Sequence, residues 1–368
     1  MSAARITAER VRIDRGPRSG QTIIVSADST RLGPALGGCR IKSYPSWREG
    51  LDDVLRLSAA MTEKAALAGL DHGGGKTVVA LDDTSSADWT GPRRADLLDD
   101  IADVVETFDG TYITGPDIGT SPQDMARLHS RTRHVLCRPE AEGGSGDSSV
   151  PTALGVTASL EAVCAHRWPG TDLSTLSFSV IGLGHVGAVV GDWLAARGAA
   201  LTVADIDPGR RDLAERWGAR WVTPDQALRA EVDVVVPCAV GGILTPASVG
   251  GLHCHAVAGA ANNQLDHDST AALLHDRGVL WAPDVIVSGG GIIASVSREL
   301  HGLTAAEAQE RVRGIGPRLT SVLADAERRG ITPLQAARDL VDARLEGRVN
   351  GTPAAHAPQV RSGRRVPR

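Results

Sequence analysis

The chain has 368 residues, 42% hydrophobic and 23% charged, which suits two globular domains with sizeable cores better than one. A formal net charge of −5 offers no basic face for nucleic acid, so no nucleic-acid partner is expected. No apolar run approaches the roughly 18–20 residues of a bilayer span, so no membrane partner is expected.

Residues 1–19 are dotted with Arg and Glu, unlike a secretory leader. Cys39, Cys137, Cys164, Cys238 and Cys254 are scattered, odd in number and without a C-x-x-C pair. They fit reduced thiols in a cytoplasmic protein better than a disulfide framework or a zinc site. His253-Cys254-His255 resembles a metal set, but on a short strand the middle side chain points away from its neighbours, and no metal is expected. Of the 39 Lys and Arg residues only Lys42, Lys64 and Lys76 are lysine. An ammonium loses its proton when desolvated and a guanidinium does not. Lysines retained in one stretch of an arginine-rich chain therefore suggest a titratable amine there, with chance retention as the alternative.

In chain order, 21–26 reads as a strand, and 46–60 as a helix carrying Trp47, Leu51, Val54, Leu55 and Leu57, with Lys64 near or just beyond its end. Residues 73–81 read as a tight glycine turn running into a buried strand. A second amphipathic helix is expected over 95–108, and 111–117 is a short strand whose proline-containing exit presents Asp117. The polar, glycine-rich stretch 142–149 is the best domain boundary. After it come a helix over 152–166, strands at 178–181, 201–205, 232–236, 255–258 and 279–281, and helices at 188–196 and 271–276. Helices over 305–329 and 333–346 close the chain, before a tail over 350–368 expected to be disordered. Strands alternating with helices predict an α/β chain with a doubly wound parallel sheet.

Within that second part, Gly182-Leu183-Gly184-His185-Val186-Gly187 follows a strand, opens a helix, and precedes an acid at the end of the next strand. Gly182 permits the tight turn, Gly184 lets backbone approach a pyrophosphate, and Gly187 allows close helix packing. The helix N-terminus offers free N–H groups to phosphate. Asp205 lies 18 residues after Gly187, near the spacing of the acid that accepts ribose hydroxyls and repels a 2′-phosphate. The expected cofactor is NAD rather than NADP, although Arg210 and Arg211 downstream blur that choice. A Rossmann domain follows.

Lys64 and Lys76 flank the glycine stretch, so both can face one cleft. One ammonium can pair with a carboxylate, and a second pressed against it has its pKa lowered toward a general base. Asp117 can relay protons to and from a substrate nitrogen. For either lysine alone, a surface salt bridge is the commoner role.

Gly33-Pro-Ala-Leu-Gly-Gly, Met61-Thr-Glu-Lys-Ala-Ala, Gly69-Leu-Asp-His-Gly-Gly-Gly-Lys-Thr-Val and Thr114-Gly-Pro-Asp-Ile-Gly-Thr resemble motifs of the glutamate/leucine/phenylalanine/valine dehydrogenase family. So do Pro237-Cys-Ala-Val-Gly-Gly, Gly259-Ala-Ala-Asn-Asn-Gln-Leu and Ala282-Pro-Asp, in the family's order, from about residue 20 to 347. The resemblance implies a dehydrogenase that interconverts an L-amino acid with its 2-oxo acid and ammonium. It implies Lys64 on the substrate carboxylate, Lys76 as base and Asp117 in proton transfer. It places Gly182, Gly184, Gly187, Asp205, Cys238, Ala239 and Asn262 at the NAD, with Thr152 near the nicotinamide. Leu183, His185 and Val186 complete the turn. It also implies a substrate domain over 1–148 completed by a C-terminal helix at about 330–348, an NAD domain over 149–329, and homo-oligomers.

Leu36 stands where the glutamate members place a cation, so a hydrophobic substrate is expected, with Gly37, Gly115, Pro116, Ile292 and Ser295 around its side chain. Gly115 in place of alanine adds room, as in the phenylalanine branch, whereas Leu36 resembles the leucine and valine branch. Two departures stand out. Ser288 replaces an asparagine in a turn expected near the nicotinamide. Ser295 fills an apolar position, pointing either to a polar substrate group, as on an unusual amino acid, or to a backbone hydrogen bond. Two rival readings are a silent NAD-binding paralogue, against which the retained Lys64, Lys76 and Asp117 count, and a 2-hydroxy-acid enzyme with His72 as base.

Overall fold

The computed structural model describes residues 8–81 and 89–350. Its first unit comprises β1 (Arg10–Arg15), β2 (Thr22–Ser29), β3 (Ala35–Ser43), α1 (Trp47–Leu67), β4 (Gly73–Leu81), α2 (Gly91–Glu106), β5 (Tyr112–Pro116) and α3 (Pro122–His129). The sheet order is β1-β2-β4-β3-β5, with β3 parallel to both β4 and β5 and β2 antiparallel to its neighbours. α2 and α3 cover one face through Leu97, Ile101, Val105, Met125 and Leu128. α1 covers the other, where Val54 meets Ile24 and Val78.

One sequence expectation is corrected here. Gly73, Gly74 and Gly75 do not form a turn; they are the first residues of β4, all of whose residues are buried. A Cβ on Gly74 would lie 2.0 Å from the Thr62 backbone nitrogen. Glycine therefore lets α1 lie directly on the strand, bringing the last turn of α1 with Lys64 beside Lys76. α1 runs to Leu67, further than its apolar spacing predicts.

The second unit begins with α4 (Ser149–Arg167), followed by β6 (Ser177–Ile181), α5 (His185–Ala195), β7 (Ala200–Ala204), α6 (Arg211–Trp217), β8 (Arg220–Trp221), α7 (Pro224–Leu228) and β9 (Val234–Pro237). Next come α8 (Pro246–Gly250), β10 (Ala256–Val257), α9 (Thr270–Asp276), β11 (Leu280–Trp281), α10 (Asp284–Val287) and α11 (Gly290–Ser295). The six strands are parallel in the order β11-β10-β9-β6-β7-β8. This is the expected two-domain α/β fold with a doubly wound, Rossmann-type sheet. The chain winds outward from β6 in one direction and then from β9 in the other. That reversal leaves a crevice at the carboxyl ends of β6 and β9, where open sheets of this kind bind ligands.

α12 (Ala305–Arg313) and α13 (Ile315–Arg329) are separated at Gly314, and α14 (Pro333–Asn350) reaches back to α1. Arg344 and Arg318 donate to the α1 carbonyls of Ala66 and Leu67, placing cations on the negative end of that helix. Arg338 adds Glu63 at 3.6 Å and Asp268 at 2.7 Å. The tail expected beyond Asn350 lies outside the described residues. Among the described residues no helix is long and apolar enough to cross a membrane.

Candidate active site

A cavity of about 440 Å³ opens between the two sheets. α1 contributes Lys64, β4 Lys76, and the exit of β5 supplies Gly115, Pro116 and Asp117. β3 supplies Leu36, Gly37, Gly38 and Arg40. From the second unit come Thr152, Val186, Cys238, Ala239, Asn262, Ser288, Ile292 and Ser295. The structure thus brings the residues singled out for chemistry, for the substrate side chain and for the nicotinamide end into one space.

Lys76 is buried, and its Nζ stands 2.9 Å from Asp117 Oδ2. Gly38 makes that meeting possible, since a Cβ there would lie 2.8 Å from Asp117 Cβ and 3.2 Å from Lys76 Nζ. Burial alone would raise the Asp117 carboxyl, but Lys76 and Arg40 outweigh it and hold the pKa below the usual carboxylate value. Lys64 reaches across the cleft from α1, its Nζ 2.7 Å from Asn262 Oδ1. Its side chain keeps some surface on the cavity, yet it sits so deep between the two units that burial lowers its pKa to about 8. Lys76 adds to that lowering, while Asp284 and Asp117 oppose it. Burial pushes the Asp284 carboxyl up.

The glycine turn lies one step along the crevice. Gly182 has φ +94°, and a Cβ there would come 2.6 Å from that of Ala239, two residues beyond β9. A Cβ on Gly187 would strike the Gly182 carbonyl at 1.8 Å. At Gly184 a Cβ would meet nothing within 4 Å, so this face of the turn is open. α5 starts at His185, earlier than its apolar spacing suggests, which puts His185, Val186 and Gly187 in the first turn, where N–H groups lack helical partners. Asp205 Oδ2 accepts from the Leu183 N–H at 2.6 Å, linking the acid to the turn. This cradle fits a dinucleotide: an open glycine face, free helix N–H groups and a carboxylate at the next strand end. Arg211 lies over the Trp221 ring and Arg210 faces Asp207 at 3.7 Å.

Two family models match the chain: the Glu/Leu/Phe/Val dehydrogenase dimerisation domain over residues 7–134, and the glutamate/leucine/phenylalanine/valine dehydrogenase domain over 202–337. The chain belongs to the glutamate/leucine/phenylalanine/valine dehydrogenase family. It is 38% identical to a phenylalanine dehydrogenase of Caldalkalibacillus thermarum, over 92% of each chain. It is 36% identical to a leucine dehydrogenase of Thermoactinomyces intermedius, over 89% of this chain and 88% of that one. The crystal structure of an L-tryptophan dehydrogenase from Nostoc punctiforme superposes with a TM-score of 0.80 at 30% identity, covering 94% of this chain and 98% of that one. The protein is therefore an amino-acid dehydrogenase, an oxidoreductase acting on the CH–NH₂ group of amino acids, from an NAD(P)-dependent family.

In this dehydrogenase the two departures have local partners. Ser288 Oγ donates to the Asp284 carbonyl at 2.6 Å and lies 3.2 Å from Asn262 Oδ1, so the serine hydroxyl is tied back to its own helix beside Asn262. Ser295 Oγ stands 2.9 Å from the Gly291 carbonyl, the backbone alternative raised by the sequence. Cys137 Sγ and Ser145 Oγ lie 3.0 and 3.1 Å from it. His72 does not serve as a base for a 2-hydroxy acid: it is buried outside the cavity, and burial lowers its pKa to about 4.

Sequence reasoning missed Arg40, Cys137 and Asp284 as cavity residues. Asp284 sits in the quoted Ala282-Pro-Asp motif, and Arg40 follows the Gly37-Gly38 pair closely. Those positions were the available signal. Cys137 had none beyond its residue type.

Proposed function

We propose that this dehydrogenase catalyses the reversible, NAD-dependent oxidative deamination of a hydrophobic L-amino acid, aromatic or branched-chain, to its 2-oxo acid and ammonium. The carrying observation is the pairing of Lys76 with Asp117 opposite Lys64, next to an apolar end of the cavity. There Leu36, Leu136 and Cys137 pack with Ile113 and Ile292. The cationic side chains on the cavity are Lys64, Lys76 and Arg40, and Arg40 is already engaged by Asp117 and Asp53. A second substrate carboxylate would be left unpaired in an apolar pocket, which is costly.

In this reading the Lys64 ammonium leaves Asn262 and pairs with the substrate carboxylate, while Asp117 accepts a proton from the substrate ammonium. Thr152, Asn262 and Ser288 would hold the nicotinamide end of the cofactor, which when bound would supply the two-electron acceptor for the hydride of the Cα–H bond. Lys76, beside Asp117, first releases its ammonium proton to solvent and then, as the neutral amine, takes the proton of the water that attacks the iminium carbon. Asp117 returns its proton to the nitrogen, and as the C–N bond breaks the hydroxyl closes to the carbonyl and its proton leaves with the ammonia as ammonium. Gly182, Leu183, Gly184, His185, Val186 and Gly187 would hold the pyrophosphate, Cys238 and Ala239 line the same crevice, and Asp205 would receive the ribose hydroxyls. A reducing, cytoplasmic setting agrees with five free cysteines. Homo-oligomerisation agrees with the dimerisation-domain match and with β1 as an edge strand among the described residues, where Ile13 is 43% exposed.

Rates with L-phenylalanine, L-leucine, L-valine and L-glutamate under NAD test the substrate class, and a preference for glutamate would overturn it. Two variants refine the test. A Cβ on Gly115 would meet only the Leu136 carbonyl, at 4.0 Å, so Gly115→Ala is expected to fold normally and narrow the pocket. The kcat/KM ratio of phenylalanine to valine should fall about tenfold, and an unchanged ratio would remove Gly115 from the pocket wall. Asp205→Ala should raise the KM for NAD about tenfold, the effect of losing hydrogen bonds to a charged group, and narrow the preference over NADP. Equal preference before and after the change would remove Asp205 from cofactor choice.

A further inference from the structure

We propose that Arg40 is a positioning residue of this active site: it fixes which oxygen of Asp117 faces the substrate nitrogen and keeps that carboxylate ionised. The inference rests on the reading of Asp117 as the proton carrier and adds a residue to which no role has been given. Arg40 Nε stands 2.8 Å from Asp117 Oδ2, the same oxygen that Lys76 Nζ approaches at 2.9 Å. Among the described residues Asp117 Oδ1 has no hydrogen bond, so the two cations, arriving from β3 and β4, lock one oxygen and leave the other for the substrate.

Arg40 is itself held from behind. Its Nη1 meets Asp53 Oδ2 at 3.0 Å, and Asp53 also accepts from the Tyr44 hydroxyl and from Arg56, both at 2.6 Å. Side-chain exposures of 15% for Arg40, 15% for Asp53 and 22% for Asp117 set this chain apart from a surface ion pair. A planar guanidinium spans two carboxylates in a fixed direction, which an ammonium cannot do.

Arg40, Lys76 and Lys64 are the cations facing Asp117, and Asp53 lies on the far side of Arg40. Cys39 on β3 and Tyr112 on β5 stay neutral in the working range, since burial pushes the thiol up to about 12 and the phenol also upward. Removing Arg40 takes away one of the charges that offset burial at Asp117. The Asp117 carboxyl then titrates at higher pH, and the acidic limb of activity moves up with it.

The test is the pH profile of kcat/KM for Arg40→Met, Arg40→Lys and Asp117→Asn in the full-length enzyme, with thermal melting as the check on folding. Arg40→Met should move the acidic limb up by about one pH unit and lower kcat about tenfold, with less change in KM. Arg40→Lys should return the limb toward its wild-type position. If Arg40→Met does not fold, Arg40→Gln supplies the same neutral substitution with a polar side chain. A folded neutral variant with wild-type limb and kcat, while Asp117→Asn is inactive, overturns the role of Arg40 alone. An active Asp117→Asn overturns the reading of Asp117 on which it rests.

Discussion

Replacing Lys76 with methionine is expected to lower kcat for amino-acid oxidation by about 10²–10⁴-fold, the range a positioned acid–base group supplies. The KM should move far less, because the substrate carboxylate is assigned to Lys64. The effect follows from geometry. Lys76 is buried on β4 and within 2.9 Å of Asp117 Oδ2, so the amine that takes a proton from water lies beside the group that carries the substrate's proton. Among the described residues Lys64 faces only the neutral Asn262 amide at that range. The depressed pKa of Lys64, about 8, nevertheless favours a second reading in which the two lysines exchange roles. Steady-state kinetics of the two single variants separates them. A large KM effect at Lys76 with a large kcat effect at Lys64 would favour the exchange.

The second large effect is expected at Lys64. Lys64→Met should raise the KM of amino acid and 2-oxo acid by about 10- to 100-fold, the worth of hydrogen bonds to a charged group. A pH signature accompanies it. The free enzyme's Lys64 is charged below about 8 and neutral above it, because burial disfavours the ammonium. Binding of a carboxylate therefore weakens as pH rises through that value, by about tenfold per unit once the neutral form dominates. Competitive inhibition by 3-phenylpropanoate reads this directly, since that ligand has no other group titrating there. A flat inhibition constant across the range, or the same slope in Lys64→Met, would detach the carboxylate from this lysine.

Much of this site was legible because its signals are local. A glycine turn between a strand and a helix, with an acid closing the next strand, marks the dinucleotide crevice in the sequence itself. The β6–β9 reversal then places Ala239 against Gly182. The lysines stood out because the chain otherwise uses arginine. The glycines at 73–75 were legible as glycines and misread as a turn. Their reason is a helix lying against them, a long-range contact that no local pattern encodes. Arg40 and Asp117 are 77 residues apart, and an arginine in an arginine-rich chain carries no compositional flag. The Cys137–Ser295 contact, made across 158 residues, was invisible for the same reason. Ser288 stood out only as a departure in a turn expected near the nicotinamide, and the fold shows its hydroxyl bonded to the Asp284 carbonyl beside Asn262.

The most direct test is NADH oxidation by the purified enzyme with and without ammonium, using phenylpyruvate, 4-methyl-2-oxopentanoate and 2-oxoglutarate. Ammonium-dependent turnover of the first two, with 2-oxoglutarate far slower, is the predicted result. Turnover that persists without ammonium, or that favours 2-oxoglutarate, would contradict the assignment of Lys64, Lys76 and Asp117 to the deamination of a hydrophobic amino acid.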